Sequence, residues 1–409
     1  MRHFFGLMIG LHVATTLQAA PLKLWISSHQ DKIYYEKMAG LYRQTVDAGF
    51  EAEIQAFGFR EMPDKLGTAI KTGEGVPDIV QLDEIFFGMY LSDQIPFADL
   101  TERVQQSGLD RDLLRQRVDL FTYQDRIYGL PQSLSAVILY CRRDLMDQHQ
   151  VTAADLRTWD VLRKTGVRLA GQKQRLMALD WSYFEILLRQ RGGRLFSKDG
   201  TVFPDEELAL DTLRFLADLQ NQGIGQLPDR GSIFDPVFFS GDVAQQEVLC
   251  VVGADWYGLD LLQQFSPELK GQWRMLPLPV WQEGGRRSST FAGQGLLIFK
   301  DSEKTEQAWN FIHFVMTNPD SNAERFLGGN SFTAYKPSWT DERLLGGHDY
   351  FGGQSMGKLL VELAPGLPSV VMSPKRLMLL FMLREQLFQA VMLGKMTPEQ
   401  ALETLKSRL

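Results

Sequence analysis

The chain of 409 residues has few of the side chains and motifs on which metal, redox or phosphate chemistry depends. It contains two cysteines and six histidines. The histidines are scattered, and no CxxC motif, HExxH motif or Walker-type phosphate loop is present. The Gly-Gly pairs lack the glycine-rich pattern that opens a nucleotide-binding helix. The sequence therefore predicts neither a metal site nor a cofactor, and we expect a protein that is not an enzyme.

A positive net charge and long hydrophobic runs are also missing. Lys and Arg total 43 against 50 Asp and Glu, a formal net charge of −7, and neither sign is concentrated in one block. This distribution argues against nucleic acid or an anionic membrane as a partner. The apolar run at residues 4–13 is far shorter than the roughly 20 residues of a membrane-spanning helix, and no later run is longer. We therefore predict a soluble mature protein, and a monomer.

The first residues have the order of a secretory signal peptide. Arg2 and His3 form a short basic start, an apolar core follows at residues 4–13, and residues 17–19 supply a cleavage site. We predict that residues 1–19 are removed by cleavage after Ala19. No cysteine follows directly after the apolar core, so a bacterial lipid anchor has no attachment point. The expected location of the mature protein is the periplasm.

The two cysteines each end a short apolar run. Cys141 follows residues 138–140, and Cys250 follows residues 248–249, so both are predicted to lie in strands. An oxidising compartment permits a disulfide between them. The sequence leaves the pairing open, and we favour two separately buried thiols.

The first seventy residues after the predicted signal peptide alternate between strand and helix patterns. Short apolar strands alternate with segments of helical periodicity, and a Gly/Pro breaker precedes the last strand. The predicted strands are residues 22–26, 53–57 and 78–82, and the predicted helices are residues 33–44 and 62–72. Such alternation indicates a parallel sheet with crossover helices. Ligands of these sheets bind at the carboxyl ends of the strands.

A longer pattern resembles a known family. The run YQDRIYGLP at residues 123–131, with VILY at 137–140 and RDL at 143–145, is similar to a segment of extracellular solute-binding protein family 1. These are the sugar-binding proteins of ABC importers, of the maltose-binding protein type. Further blocks of the same pattern follow in the expected order over essentially the whole mature chain: Lys71–Asp83, Phe97–Leu100, Thr158–Asp160, Gly192–Phe196, Phe239–Ala244, Gly253–Trp256, Lys270–Pro279, Gly293–Ile298, Ala308–Phe311, Val391–Gly394 and Glu399–Leu402.

The resemblance implies an α/β fold of the type II periplasmic-binding-protein class. Two α/β lobes would be joined by a hinge that the chain crosses three times, with a ligand cleft between the lobes. We place lobe 1 at residues 20–132 plus 295–334, and lobe 2 at residues 137–289 plus 339–409. The hinge crossings are expected near residues 133–136, 290–294 and 335–338.

The function implied by the resemblance is capture of a sugar and its delivery to an importer. The ligand would be a mono- or short oligosaccharide, or a polyol, and the partners would be the permease subunits of an ABC transporter. Two alternatives stay open on the sequence. One is a secreted carbohydrate-active enzyme, and the other is a ligand-binding component that feeds a chemoreceptor or a kinase.

Candidate ligand contacts come from predicted strand ends and from positions that match the family. Sugar recognition uses aromatic faces for the ring and planar polar groups for the hydroxyls. The candidates are His29, Gln30, Phe59, Asp83, Glu84, Gln132, Trp181, Tyr183, Asp255, Trp256, Tyr257, Gly293 and Gln294. Among them, the segment 255–257 is the strongest, since it places an acceptor between two aromatic side chains after a strand.

Several candidates also have an ordinary structural explanation. His29 and Gln30 fit a solvated loop, Phe59 and Trp256 fit core packing, and the acidic pair fits a solvated turn. Asp83 and Glu84 are neighbours on a strand end and point to opposite faces, so they make a poor acid and nucleophile for a glycosidase. The region after Ser373 lacks the aromatic residue that the family often uses to stack on longer sugars, which favours a short ligand.

Overall fold

The computed structural model describes residues 20–92, 94–172, 174–229 and 231–409. The predicted signal peptide at residues 1–19 lies outside the described residues. Two separate sheets organise the rest, and each carries its own hydrophobic core. The predicted fold class, two α/β lobes, is confirmed by this architecture. Within the described ranges, no helix is both long and apolar enough to cross a bilayer.

The first sheet contains five strands in the order Ala52–Ala56, Leu22–Ile26, Ile79–Asp83, Gln294–Ile298 and Leu130–Pro131. The first three are parallel, as the alternation of strands and helices predicts, and the last two strands pair antiparallel. Two apolar clusters pack against this sheet. Parallel strands are usually buried on both faces, because their crossover helices pack there. The carboxyl ends of the parallel strands lie at one edge.

The second sheet has the order Trp273–Leu276, Ala136–Arg142, Val248–Ala254, Arg175–Ala178 and Gly225–Gln226, and Ser289–Thr290 also pairs with Ala136–Arg142. Val248–Ala254 runs parallel to Arg175–Ala178 and antiparallel to Ala136–Arg142. Every residue of the two seven-residue strands is buried. A hairpin-like pair, Thr122–Tyr123 with Arg126–Ile127, precedes the first passage between the sheets.

Helices pack on both sheets. The longer ones are His29–Thr45, Met62–Thr72, Trp159–Ala170, Ser182–Gln190, Glu206–Asn221, Thr305–Thr317, Pro319–Leu327, Met356–Leu363 and Pro398–Arg408. Shorter α-helices are Glu84–Phe87, Thr101–Ser107, Leu109–Asp112, Arg115–Val118, Arg143–Gln148, Pro236–Phe238, Gln263–Phe265, Glu342–Leu345, Arg376–Met382 and Phe388–Met392. Within the part of the chain that the structure describes, the segments Phe239–Val243, Tyr257–Leu262 and Leu383–Leu387 are π-helical.

The first long helix begins four residues earlier than its hydrophobic periodicity predicts. Ser28 is extended, and its side chain accepts a hydrogen bond from the backbone N–H of Asp31, so the helix begins at His29. A serine before a helix provides this cap because its hydroxyl replaces a missing backbone partner. His29 and Gln30 therefore lie in the first helical turn rather than in a strand-end loop.

The chain runs from the first sheet to the second and back again. It leaves the first sheet at Pro131 and enters the second at Ala136, and it returns between Thr290 and Gln294. A third segment lies beside these crossings, since the N–H of Leu134 donates to Phe332 O at 2.7 Å. The residue limits that we assign to each lobe stay predictions.

The two cysteines are joined, which corrects our preference for separate thiols. Ala136–Arg142 and Val248–Ala254 are antiparallel neighbours, and their register places Cys141 directly opposite Cys250 with Cα atoms 4.2 Å apart. The disulfide closes a sequence separation of 109 residues within the second sheet. Sequence periodicity identified both strands but contains no information on which residues face each other.

We expect the Cys141→Ser/Cys250→Ser double variant to lose stability. Loss of a cross-link over a loop of this length removes about 4 to 5 kcal/mol in the chain-entropy model. The measurement is denaturant unfolding of wild type and variant without reductant. Thiol titration of denatured wild type is the control and should detect no free thiol. One or two free thiols in protein purified from an oxidising compartment would contradict the pairing.

Candidate functional site

A buried arginine, Arg117, binds the backbone of the first two hinge crossings. Arg117 donates from Nε to Ser133 O at 3.0 Å and from Nη2 to Ala292 O at 2.8 Å. Gly293 has a φ of 130°, and a Cβ at this position would lie 2.1 Å from Arg117 Nη2. Only glycine fits there without moving the guanidinium. The predicted ligand candidate Gly293 is therefore buried hinge backbone that admits Arg117.

Asp255 directly follows the strand Val248–Ala254 of the second sheet and binds the third chain segment at Phe332. It is fully buried, and its Oδ2 accepts from the backbone N–H of Phe332 at 2.9 Å. Burial raises the pKa of Asp255 to about 6, against the opposing effect of backbone N–H groups and the Arg117 cation. Its carboxylate contacts hinge backbone, so we assign Asp255 to the hinge rather than to direct ligand contact.

Four aromatic side chains form a cluster beside the hinge, which we call the aromatic cluster. Trp181 and Trp256 follow the parallel strands Arg175–Ala178 and Val248–Ala254, which places both at the same edge of the second sheet. Phe291 lies between them in the second crossing, with ring centroids 5.8 Å from Trp181 and 6.5 Å from Trp256. Phe234 stacks on Phe291 at 5.9 Å.

The cluster combines partial exposure with unused polar capacity. Trp181, Phe234 and Trp256 are half-buried. Trp181 Nε1 is buried without a hydrogen-bond partner, and Trp256 Nε1 makes one long bond, 3.4 Å, to Phe291 O. Indole groups with an available N–H and an accessible face can bind a ring that carries hydroxyls. Sequence reasoning missed Phe234 and Phe291, because neither follows a long strand.

Two further predicted aromatic contacts, Tyr183 and Tyr257, lie in the interior of the second lobe. Tyr183 and Tyr257 are fully buried. The hydroxyl of Tyr183 accepts from Val252 N at 2.8 Å, and that of Tyr257 donates to Ile233 O at 3.0 Å. Burial raises the pKa of both phenols well above the usual value. Both side chains pack the core beneath the aromatic cluster, and we leave them out of the site.

A chain of polar side chains lies at the carboxyl edge of the first sheet. Gln294 Nε2 donates to Ser27 Oγ at 2.6 Å, and Ser27 donates from N and Oγ to Gln81 Oε1 at 3.2 Å. Gln81 Nε2 then donates to Gln132 Oε1 at 2.9 Å, and Gln132 donates to the Tyr35 hydroxyl. Gln132 is buried within lobe 1, whereas Gln294 is half-buried beside the hinge.

Asp83 ends the third parallel strand, Glu84 begins the short helix that follows it, and the two carboxylates have different partners. Asp83 Oδ1 accepts from the N–H of Ile85 at 3.0 Å and caps the short helix Glu84–Phe87. Burial first, and the neighbouring Glu84 second, raise the pKa of Asp83 from 3.8 to about 7. Glu84 points instead to Arg376, with both its oxygens bonded at 2.8 Å. The two carboxylates therefore bind different groups: Asp83 accepts from a helix N–H, and Glu84 binds the guanidinium of Arg376.

Glu84 belongs to a larger group of buried charges. Arg376 also binds Glu185, with Nη2 to Oε2 at 3.2 Å, and Glu185 binds Arg189 on the same helix. Arg189 donates to Thr290 O at 3.2 Å, at the start of the second crossing. Although burial opposes ionisation of Glu84, the Arg376 charge and hydrogen bonds lower its pKa below the usual value.

The remaining three candidates follow the first two parallel strands of the first sheet, Leu22–Ile26 and Ala52–Ala56, and their side chains are exposed. His29 and Gln30 are exposed, and Gln30 Nε2 donates to Gly328 O at 2.8 Å. Phe59 is 45% exposed, and its ring lies 5.0 Å from that of Phe86. Among the described residues, the hydrogen bond of Gln30 and the ring contact of Phe59 reach neither the aromatic cluster nor Glu84. Their role in binding stays a prediction.

The chain contains one motif that in hydrolases carries a nucleophilic serine, and here that serine has a structural role. Residues 353–357 read GQSMG, a GxSxG pattern. Ser355 caps the helix Met356–Leu363 and donates to Leu345 O at 2.8 Å. A hydrolase elbow needs a strand before the serine, and a loop precedes Ser355. Across the described ranges, no group of three or more His, Cys, Asp or Glu side chains is arranged to hold a metal ion.

A family model described as bacterial extracellular solute-binding protein matches residues 38–321. The arabinooligosaccharide-binding protein of Bacillus subtilis is 25% identical over 394 residues, which cover 93% of this chain and 89% of that protein. The lactose-binding protein of Rhizobium radiobacter is 24% identical over 330 residues, covering 78% of this chain and 75% of the relative.

A solved structure supports the fold. The sugar-binding protein MalE from Xanthomonas citri superposes with a TM-score of 0.78 at 16% identity, covering 95% of this chain and 96% of that one. The likeness shows that the two-lobe arrangement is that of type II periplasmic sugar-binding proteins. The fold predicted from the family resemblance is thereby confirmed.

We expect Asp83→Asn to remove a pH dependence of stability. Because the folded-state pKa of Asp83 is about 7 and its ordinary value is 3.8, its contribution is fully present below about pH 4 and is lost as pH rises to about 7. Asparagine keeps the capping oxygen but does not titrate. Denaturant unfolding across this pH range should show wild type losing stability relative to the variant. Parallel pH profiles would contradict a buried, neutral Asp83.

Proposed function

The chain belongs to the bacterial extracellular solute-binding protein family, and we propose that it captures a short carbohydrate between its two lobes for an ABC importer. It is a binding protein rather than an enzyme. The observation that carries the carbohydrate proposal is the aromatic cluster of Trp181, Phe234, Trp256 and Phe291 at the hinge edge of the second lobe.

The aromatic cluster has the chemistry that a sugar ring requires. The apolar faces of a pyranose or furanose ring bury well against indole and phenyl faces. The unpartnered Trp181 Nε1 can donate to a ring hydroxyl. A hydroxyl buried without a partner costs about 1 to 3 kcal/mol, so a closed cleft selects ligands whose hydroxyls match its donors and acceptors. Gln294 is the half-buried polar side chain that we place opposite the cluster, on the side of lobe 1.

The C-terminal segment supports a proposal on the size of the ligand. Residues 373–377 have no aromatic side chain to extend a stacking surface, and Arg376 is committed to Glu84 and Glu185. We therefore propose a mono- or short oligosaccharide. The relatives named for arabino-oligosaccharides and lactose indicate which compounds to test first.

We propose a periplasmic location, a monomeric state and the permease subunits of an ABC transporter as partners. The signal-like sequence at residues 1–19 and the family support export. In this proposal the cleft binds the sugar, and the permease recognises the surface that the two lobes form when they are closed. The proposal involves no nucleic acid and no cofactor. Permease genes beside this protein's gene, and retention of their products by the protein in a pull-down, would support this partner, whereas a chemoreceptor or kinase gene there would favour sensing.

A thermal-shift screen should identify the ligand class. The set would hold arabinose, arabinobiose to arabinotetraose, lactose, maltose, common monosaccharides and polyols. A ligand present at 100 times its dissociation constant stabilises the folded protein by about 2.7 kcal/mol, which is a clear shift in melting temperature. Absence of a shift with every saccharide, together with a shift for another class such as peptides, would overturn the carbohydrate proposal.

We expect Trp256→Ala to weaken binding of the saccharide found in that screen by about tenfold or more, because aromatic packing contributes on the order of 1 kcal/mol beyond area burial. Calorimetric titration gives the affinity, and the ligand-induced change in intrinsic fluorescence should also be lost. Trp281→Ala is the matched control: Trp281 is half-buried and packs on Trp159 and Phe215, outside the cluster. Equal affinities of wild type and Trp256→Ala would exclude Trp256 from the site.

A further inference from the structure

Four buried charged residues form one connected group between the lobes, which we call the cross-cleft network: Glu84, Glu185, Arg189 and Arg376. Glu84 and Arg376 are each 1% exposed, and the side chain of Glu185 is completely buried. The network holds two positive and two negative charges and is neutral as a whole. Neutrality matters because an unpaired charge in such a place is strongly unfavourable.

The members of the network come from both lobes. Glu84 follows the Ile79–Asp83 strand of the first sheet. Glu185 and Arg189 lie on the Ser182–Gln190 helix of the second lobe. Arg376 begins the helix Arg376–Met382, whose buried side chains Leu379, Leu380 and Met382 belong to the core of the second sheet. Within the network, only the bond between Glu84 and Arg376 therefore crosses from one lobe to the other.

The chain before Arg376 also lies against the first lobe. Val370 and Met372 are buried in the apolar cluster of that lobe, together with Leu82 and Phe87. At Gly88, an added Cβ would be 2.8 Å from Ser373 O. Backbone packing and the Glu84–Arg376 ion pair thus make one continuous contact between the C-terminal part of lobe 2 and lobe 1.

Lobe opening would divide the charges unequally. Lobe 2 would keep Arg189, Glu185 and Arg376, with a net charge of +1 that water can solvate, and lobe 1 would keep Glu84. Closure brings Glu84 back and restores neutrality with a bidentate pair, the strongest geometry for an arginine and a carboxylate. The charges of Arg189 and Arg117 also favour the ionised form of Glu84. Without the Glu84 charge, the closed form would hold these cations and Arg376 with one carboxylate fewer to neutralise them.

We propose that Arg376 is a positioning residue that holds the lobes closed by bridging Glu84 and Glu185. It acts through lobe position and does not need to touch the ligand. The latch keeps a closed population in the absence of ligand and slows release of a bound ligand. This inference goes beyond the proposed sugar specificity and stands on the contact between the lobes.

The test compares two variants that each remove one carboxylate from Arg376. Glu84→Gln removes the charge that crosses the cleft, so the closed form alone is penalised. Glu185→Gln removes a charge within lobe 2 and leaves the Glu84–Arg376 bond. Arg189 and Arg376 then have Glu84 as the remaining carboxylate of the network, so opening the lobes would separate both arginines from it. We expect Glu84→Gln to open the unliganded protein and Glu185→Gln to keep it closed, although with a lower melting temperature.

Small-angle X-ray scattering of the unliganded proteins provides the measurement. The radius of gyration of Glu84→Gln should be larger than that of wild type, and that of Glu185→Gln should equal it. Equal scattering of wild type and Glu84→Gln would overturn the latch. Opening by both variants alike would overturn it too, since that result assigns the effect to general destabilisation. These readouts need no ligand, so they remain decisive even if no carbohydrate binds.

A double-variant cycle guards against effects of folding. Arg376→Met should also enlarge the radius of gyration, and it should add little in the Glu84→Gln background, because both changes remove the same contact. Additive effects would overturn the assignment of the contact to the latch. With the saccharide from the screen, stopped-flow release should be faster by on the order of tenfold for Glu84→Gln, as for other broken buried pairs. An unchanged release rate would contradict the kinetic role.

Discussion

Buried charge without a partner is the constraint on which the centre of this molecule depends. Where the lobes meet, Arg117, Asp255 and Arg376 each have side chains inside the protein, and each is neutralised or hydrogen-bonded by chain segments distant in sequence. Arg117 holds the first two crossings from lobe 1, and Asp255 holds the third segment from lobe 2. The hinge is thus defined by side chains that require backbone partners as much as by the path of the backbone.

Binding and closure are assigned to different groups. We propose the aromatic cluster as the surface for a sugar ring and the cross-cleft network as the contact that depends on lobe position. The proposed separation would let charged residues line a cleft for an uncharged ligand. The charges of the network are paired with one another, so such a ligand would need only to match hydroxyl donors and acceptors. The disulfide and the buried tyrosines belong to neither group and support the core of lobe 2.

Sequence reasoning located the elements well and the side-chain partners poorly. The predicted strands at residues 53–57 and 78–82 differ from the observed ones by one residue at each end, because apolar periodicity depends on local spacing alone. The candidates Trp181, Trp256 and Gln294 lie near the hinge. Tyr183 and Tyr257 lie in the core, because a strand-end position does not say toward which side a residue points. Arg117, Glu185 and Arg376 were not predicted, since an isolated charged residue has no sequence signal for its partner.

The sequence by itself determined the alternation of strands and helices, the absence of metal and phosphate motifs, and the order of blocks that resembles a solute-binding family. These are local properties, set by the spacing of apolar, small and turn-forming residues. Only the tertiary structure decided that Cys141 faces Cys250, that Asp255 serves the hinge, and that Glu84 meets Arg376 almost 300 positions later. Such pairings depend on strand register and lobe packing, which bring together residues whose distance along the chain carries no information about contact.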